Sequence, residues 1–362
     1  MLVMPTSSRQ PLVSVVITTF NRPRYLKEAL ASAVGQSYTN LEIIVSDNHS
    51  GPEAFAEIKE VVEAFQDPRI TLQRRPENVG LQHNNVWALR DANGAYVANL
   101  HDDDIWEVDF AERMVAVLEA HPEATMAFCD HYLIDSSGTI LQEQTEANTA
   151  HWKRSALPEG LHRPFARIGL IDRSIPGVMG AMYRHDAIAW AEIPEPATAY
   201  DLWLIYLACR DGQPAYYIDD RLTRYRVHEQ SQTSRGLLRL HHDLAYCYEQ
   251  FAQDDRLAFI QHDLLRMASL YHGSIGAAYL KADQPNRARH HFARALELSY
   301  NRRSLSGWLL ARLPAPLSRR ILKWRRHILG PVPVDQPEAV VGPEIEQAAA
   351  KLRKAALLES PR

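Results

Sequence analysis

Residues 12–46 read LVSVVITTFNRPRYLKEALASAVGQSYTNLEIIVS, and this stretch decides the fold. Residues 12–20 form a β-rich apolar run, Asn21 and Pro23 punctuate it, and Leu26, Leu30 and Val34 then recur at helical spacing. Residues 41–46 make a second apolar strand. The pattern is strand, N-cap at Asn21, helix, strand. It repeats downstream: Phe55, Ile58, Val62 and Phe65 mark a helical stripe, residues 70–73 a short strand, residues 84–92 a helix and residues 96–100 a strand. Strands that alternate with helices predict a mostly parallel sheet covered on both faces, so the expected class is α/β, a three-layer α/β/α sandwich.

Outward from that core, Phe110, Met114, Val117 and Leu118 predict a fourth helix, and residues 126–134 a strand that Asp135–Gly138 turns back as a hairpin. Residues 145–180 carry scattered Pro, Gly and charge, which predicts a loop-rich cover over one end of the sheet. Residues 200–210 read as a helix, with residues 216–218 and 222–227 as two short strands. From Leu237 onward helical signals dominate, and residues 277–296 resemble a single tetratricopeptide-like helix pair. The expected organisation is an N-terminal segment 1–11, an α/β domain 12–235, a C-terminal α-helical region 236–329 and a linker or tail 330–362.

Composition narrows the function. Over 362 residues, 40 Lys+Arg stand against 44 Asp+Glu, so no chain-wide basic field favours nucleic acid as a partner. Cys129, Cys209 and Cys247 are far apart, which supports neither a disulfide framework nor a C-x-x-C metal site and fits a reducing, cytoplasmic setting. No basic leader with an apolar core begins the chain, and no apolar run approaches the roughly 18 residues a membrane span needs.

In open α/β sheets, ligands bind beyond the carboxyl ends of the strands. The first strand is followed by Thr18-Thr-Phe-Asn-Arg-Pro23, without glycine, which removes the dinucleotide turn and the phosphate loop of P-loop enzymes. Asp47 follows the second strand and reads either as a turn residue or as an acceptor for a base imide or ribose hydroxyl. His101-Asp102-Asp103-Asp104 closes the strand at 96–100. Three adjacent carboxylates at a buried strand end repel one another unless a cation or solvent relieves them. A hard divalent ion holding a diphosphate does so; a solvated helix start is the alternative. Asp201, early in an apolar helix, reads as a general base or a helix-start Asp, and His228 as a metal or phosphate ligand or a surface loop histidine.

VSVVITTFNRPRYLKEALASAVGQSY, IIVSDNHS, ENVGLQHNN, LHDDDIW, YDLWL and YRVH, in that order over residues 12–230, resemble the family-2 glycosyltransferases of GT-A fold. The resemblance implies an enzyme that uses a nucleotide-diphosphate sugar and a divalent metal, Mn2+ or Mg2+, usually with inversion. It implies Thr18, Phe20 and Arg22 beside the nucleotide, Asp47 on the base, and Asn78, Gly80 and Asn84 along the nucleotide cleft. Asp102 falls near the ribose, Asp103 and His228 on the metal, and Gly177 and Gly180 in the acceptor loop 177–182. Two departures stand out: His101 replaces an acidic residue, and Thr198-Ala199 replaces the Glu-Asp that precedes Tyr-Asp-Leu-Trp in many relatives. Asp201 is then the candidate base.

Residues 301–329 carry Arg302, Arg303, Arg312, Arg319, Arg320, Lys323, Arg325 and Arg326 without an acid, interleaved with Leu and Trp. Such a segment can lie on an anionic bilayer, the inner face of a cytoplasmic membrane, where a glycan or lipid-linked acceptor would be met; packing on the catalytic domain is the alternative. The leading expectation is a cytoplasmic glycosyltransferase of polysaccharide or glycoconjugate assembly. A nucleotidyltransferase and a catalytically silent sugar-nucleotide binder stay open beside it.

Overall fold

The computed structural model describes residues 10–195, 199–227, 237–314, 316–317 and 320–321. The expected metal ligand His228, most of the segment 1–11, the tail 330–362 and much of 301–329 lie outside the described residues.

Strand β1 (Val13–Thr19) is buried along its whole length, as a run of β-branched residues flanked by parallel neighbours must be. It pairs in parallel with β2 (Leu41–Asp47) on one side and β4 (Tyr96–His101) on the other, and β3 (Ile70–Arg74) continues beyond β2. The register sets Thr18 opposite Ser46 and His101, and Thr19 opposite Asp47, so the carboxyl ends of three strands finish level. Helix α1 (Pro23–Val34) starts on a proline whose missing N–H is no loss at that position, and buries Leu26, Ala29, Leu30 and Ala33 on the sheet. Helices α2 (Pro52–Ala64), α3 (Leu81–Arg90) and α4 (Phe110–Ala120) follow, with Ile58 and the Phe110, Met114, Leu118 stripe fully buried.

Beyond β4 the sheet departs from a purely parallel order. Strand β8 (Ala181–Arg184) is inserted antiparallel between β4 and β6 (Met126–Ile134), and β9 (Ala215–Arg226) runs parallel to β6. The two-residue β5 (Ile105–Trp106) and β7 (Gly160–His162) both pair antiparallel with β9. Sequence reading missed β5, β7 and β8, and Met182, expected in a loop, lies in β8. The strands expected at 216–218 and 222–227 are one strand, β9, whose register slips opposite Asp130. The hairpin expected after β6 shrinks to a single bridge, Ile134 to Ile140, before α5 (Gln142–His151). Asn21 is not the N-cap of α1: its φ is 56° and its Oδ1 accepts the Gly51 amide instead.

Contacts divide the chain after Val227, with residues 146–151 assigned to the second unit. That unit contains α7 (Leu237–Phe251), α8 (Gln261–Lys281), α9 (Pro285–Leu298) and α10 (Arg302–Leu310). Trp308 of α10 packs with Tyr279 and Leu280 against Phe292, so its apolar face covers the helices before it. The close approach needs glycine, because a Cβ at Gly307 would stand 2.4 Å from the Phe292 ring.

Candidate functional site

Four polar knots tie the level strand ends together. In the first, the Thr18 hydroxyl donates to Asn85 Oδ1 (3.0 Å), which also receives Asn99 Nδ2 (2.6 Å). In the second, Asn84 is buried and joins the Ser46 hydroxyl (2.7 Å), the Ser46 carbonyl and Arg75 Nε (2.8 Å). In the third, Asp47 is wholly buried; its carboxylate accepts the Ser50 amide and hydroxyl and lies 3.5 Å from Arg74. Asp47 thus has the hydrogen bonds of a turn residue. Asn78, exposed, accepts from Asn48 Nδ2 (3.0 Å) and the Gly80 amide (2.9 Å); Gly80 begins α3 at φ 83°, a conformation that favours glycine.

The fourth knot is the acidic turn after β4. Asp102 Oδ2 accepts the Thr19 hydroxyl (2.8 Å), and Arg22 Nη1 lies between Asp102 Oδ1 (3.2 Å) and Asp103 Oδ2 (2.7 Å). Arg22 supplies part of the positive charge the triplet demands. Asp102 is buried, and burial together with Asp103 pushes its carboxyl up to about 7 against the pull of Arg22 and Thr19. Burial and Asp103 also hold Asp104 well above the usual carboxylate range. Asp104 Oδ1 accepts the Arg226 amide (3.0 Å), while Oδ2 is buried without any donor.

Arg226, which sequence reading passed over in favour of His228, is the main support of this turn. Its Nε donates to the Asp103 carbonyl (2.8 Å), Nη1 to the carbonyls of Asp135 and Ser136, and Nη2 pairs with Glu28 (2.6 Å). No local pattern marks a buried arginine whose partners lie about 90 to 200 positions away in the chain, and Arg221 and Arg224 in the same strand give it no distinction.

Helix α6 (Tyr200–Cys209) brings Asp201 to the same end of the sheet, the one residue of that helix not buried. Gly177 backs directly onto it: a Cβ there would meet Asp201 Cβ and Ile205 at 3.3 Å. Gly180 is packed on Pro176, and the loop between the two glycines is held by Trp106 Nε1 donating to the Met179 carbonyl (2.9 Å). His101 Nε2 meets the Tyr200 hydroxyl at 3.0 Å. Burial lowers the His101 pKa, while Asp103 and Asp201 oppose that shift, so both carboxylates lie within electrostatic reach of the ring. Phe20, 41% exposed, and the partly exposed Arg22 border the turn from the β1 side.

The donor set fits a divalent cation. His101, Asp103 and Asp104 each place a ligand atom within 4.8 Å of the others, and the orphaned Asp104 oxygen is the kind of buried charge a cation relieves. By contrast, a cleft of roughly 430 Å3 lined by Glu123, Arg184, Asp186 and Asp211 opens at the amino ends of β4 and β6, away from these groups.

The family described as Glycosyl transferase family 2 matches residues 14–188. The putative teichuronic acid biosynthesis glycosyltransferase TuaG of Bacillus subtilis is 27% identical over 263 residues, covering 68% of this chain and 96% of TuaG. Coverage of relatives varies: one matched at 31% identity is covered over only 18% of its own length. Among solved structures, S. aureus TarS 1–349 in complex with UDP-GlcNAc aligns with TM-score 0.62 at 14% identity over 85% of this chain and 91% of that one. The mannosyltransferase PcManGT of Pyrobaculum calidifontis, in complex with GDP-Man and Mn2+, aligns with TM-score 0.54 at 19% identity over 94% and 89%. The fold is GT-A, with a helical region appended. No helix among the described residues is long and apolar enough to cross a membrane.

Proposed function

Residues 14–188 being a family-2 glycosyl transferase domain, we propose that this chain moves a sugar from a nucleotide-diphosphate donor to an acceptor hydroxyl with inversion. The observation that carries the proposal is the acidic turn at the level strand ends, with an unpaired buried carboxylate oxygen on one side and Asp201 on the other. Thr18, Phe20, Arg22, Asn78, Gly80, Asn84 and Asp102 border or brace the nucleotide side, with Asp47 shaping the turn beneath the base. Asp103, with His228, would hold Mn2+ or Mg2+, which when bound supplies positive charge against the departing diphosphate.

Asp201 accepts the proton of the acceptor hydroxyl as its oxygen bonds to the anomeric carbon and the bond to the diphosphate breaks on the opposite face. Ala199 offers no carboxylate for that task. The loop Gly177–Gly180 presents backbone against Asp201, and we read it as the loop that faces the acceptor. TuaG is named for teichuronic acid biosynthesis, and surface polysaccharide or glycoconjugate assembly is the class we read here. An acceptor on a lipid carrier agrees with exposed Tyr300 (69%) and Leu309 (52%) beside Arg302, Arg303 and the Trp308–Arg312 stack. Sedimentation with anionic liposomes of the full chain, against one ending at Arg303, tests that contact.

The decisive experiment is a panel of nucleotide sugars screened for thermal stabilisation and for release of nucleoside diphosphate, with and without Mn2+. One donor stabilising by about 2.7 kcal/mol at hundredfold excess over Kd, and hydrolysed slowly without acceptor, is the expected result. Binding without turnover for every donor and acceptor favours the silent binder.

A further inference from the structure

The geometry at the end of β4 says more about which cation the site prefers. The Tyr200 hydroxyl has one proton and two neighbours, His101 Nε2 at 3.0 Å and Asn99 Oδ1 at 3.5 Å. Asn99 turns its oxygen toward Tyr200 because its amide nitrogen is committed to Asn85 Oδ1. A carbonyl oxygen only accepts, so the hydroxyl donates to Asn99 and accepts from His101 Nε2–H. That tautomer leaves the lone pair on Nδ1 unspent, the arrangement a metal-binding imidazole needs: one ring nitrogen anchored by a hydrogen bond, the other free to coordinate.

His101, Asp103 and Asp104 gather one ligand atom each within 4.8 Å, and Asp104, 1% exposed, holds an oxygen with no donor. We propose that His101 is a nitrogen ligand of the site's cation, completing with Asp103 and Asp104 a mixed imidazole and carboxylate set that prefers Mn2+, Co2+ or Zn2+ to Mg2+ or Ca2+. Tyr200 is its positioning residue. The inference rests on the reading that this turn takes a divalent ion. The chemistry behind it is general: imidazole binds first-row transition ions better than the hard dications, which favour all-oxygen sets. A neutral ring in place of a third carboxylate also lowers the negative charge that a hard dication relies on. Arg22 already sits on Asp103 Oδ2, so an ion with little affinity beyond charge has a resident guanidinium to displace.

The test reads ligation directly. Mn2+ is added to the metal-free full-length protein alone, with UDP and with GDP, and the electron spin echo of the bound ion is examined for nitrogen nuclear modulation. Wild type and His228→Ala are expected to show a directly coordinated nitrogen, in the variant from His101 alone; adding His101→Gln to His228→Ala is expected to remove it while the circular dichroism stays that of wild type. His101→Asp should move the Mg2+ to Mn2+ affinity ratio by about tenfold toward Mg2+, and Tyr200→Phe should weaken Mn2+ binding by about tenfold or more. Nitrogen modulation that is lost in His228→Ala, or that persists when His101→Gln is added to it, overturns the proposal. Bound Mn2+ without nitrogen in wild type also overturns it yet leaves the cation reading standing, whereas no bound Mn2+ under any of the three conditions overturns both.

Discussion

Asp103 and Asp201 serve different stages of the proposed transfer, and conservative substitutions separate them. Asp201→Asn keeps size and polarity at the start of α6 and removes only the capacity to take a proton; kcat should fall by about 10^2–10^4-fold with donor KM nearly unchanged. Asp103→Ala should instead abolish metal-dependent donor binding, read by titration of UDP with and without Mn2+. Near-normal turnover of Asp201→Asn moves the base elsewhere. Ala199 offers a second test, on stability: it holds φ 42°, left-handed backbone that costs a residue with a Cβ about 1–2 kcal/mol. Ala199→Gly should raise the urea midpoint accordingly. At this scale the sequence was informative where like residues crowd, as in 101–104, and where an acid interrupts an apolar helix, as at Asp201. It was silent on Asp47 and Asn84, whose side chains are consumed by Ser50, Ser46 and Arg75, because nothing local tells whether a polar group faces a ligand or another polar group.

Among elements, the parallel half of the sheet was legible because β1 and β2 are β-branched runs and helical periodicity separates each strand from the next. The other half was not. Strand β8 is four residues, Ala181-Met-Tyr-Arg184, with no β-branched side chain, and it exists because β4 and β6 each leave an edge for it to fill. Strand β5 is two residues long and depends on β9 for its pairing. The same long-range logic fixes the acidic turn, which is held by the end of β9 through Arg226 more than by its own residues. Arg226→Met removes the donor to the carbonyls of Asp103, Asp135 and Ser136 and strands Glu28. Each buried acceptor left unpaired costs about 1–3 kcal/mol, so a loss on the order of 3 kcal/mol is expected in urea unfolding. Mn2+ affinity should fall with it, because the turn that presents Asp103 loosens; an unchanged affinity separates the turn's geometry from Arg226.

Across the whole molecule, two buried groups respond to pH in opposite senses. Asp102 in the α/β unit is pushed up to about 7 by burial and by Asp103, above its unfolded value near 3.8, so the folded state holds the extra proton and the stability this confers fades as pH rises through about 7. A cation at the acidic turn offsets that loss by favouring the ionised form. His241 in the helical unit is 3% exposed, its Nε2 has no hydrogen-bond partner, and burial with His242 beside it depresses its pKa to about 4. Its neutral form is the folded form, so the stability it contributes is present above its unfolded pKa of 6.5 and is lost as pH falls toward 4, on the order of 3 kcal/mol in all. Calorimetry at pH 5 and pH 7.5 separates the two. His241→Phe, which places an apolar ring beside Tyr271, should stabilise the protein at pH 5 and change little at pH 7.5. Mn2+ should do the reverse, raising Tm at pH 7.5 and losing that effect at pH 5, where protons compete for the carboxylates. A Mn2+ effect of equal size at both pH values would mean that the ion binds groups other than the buried acids of the turn.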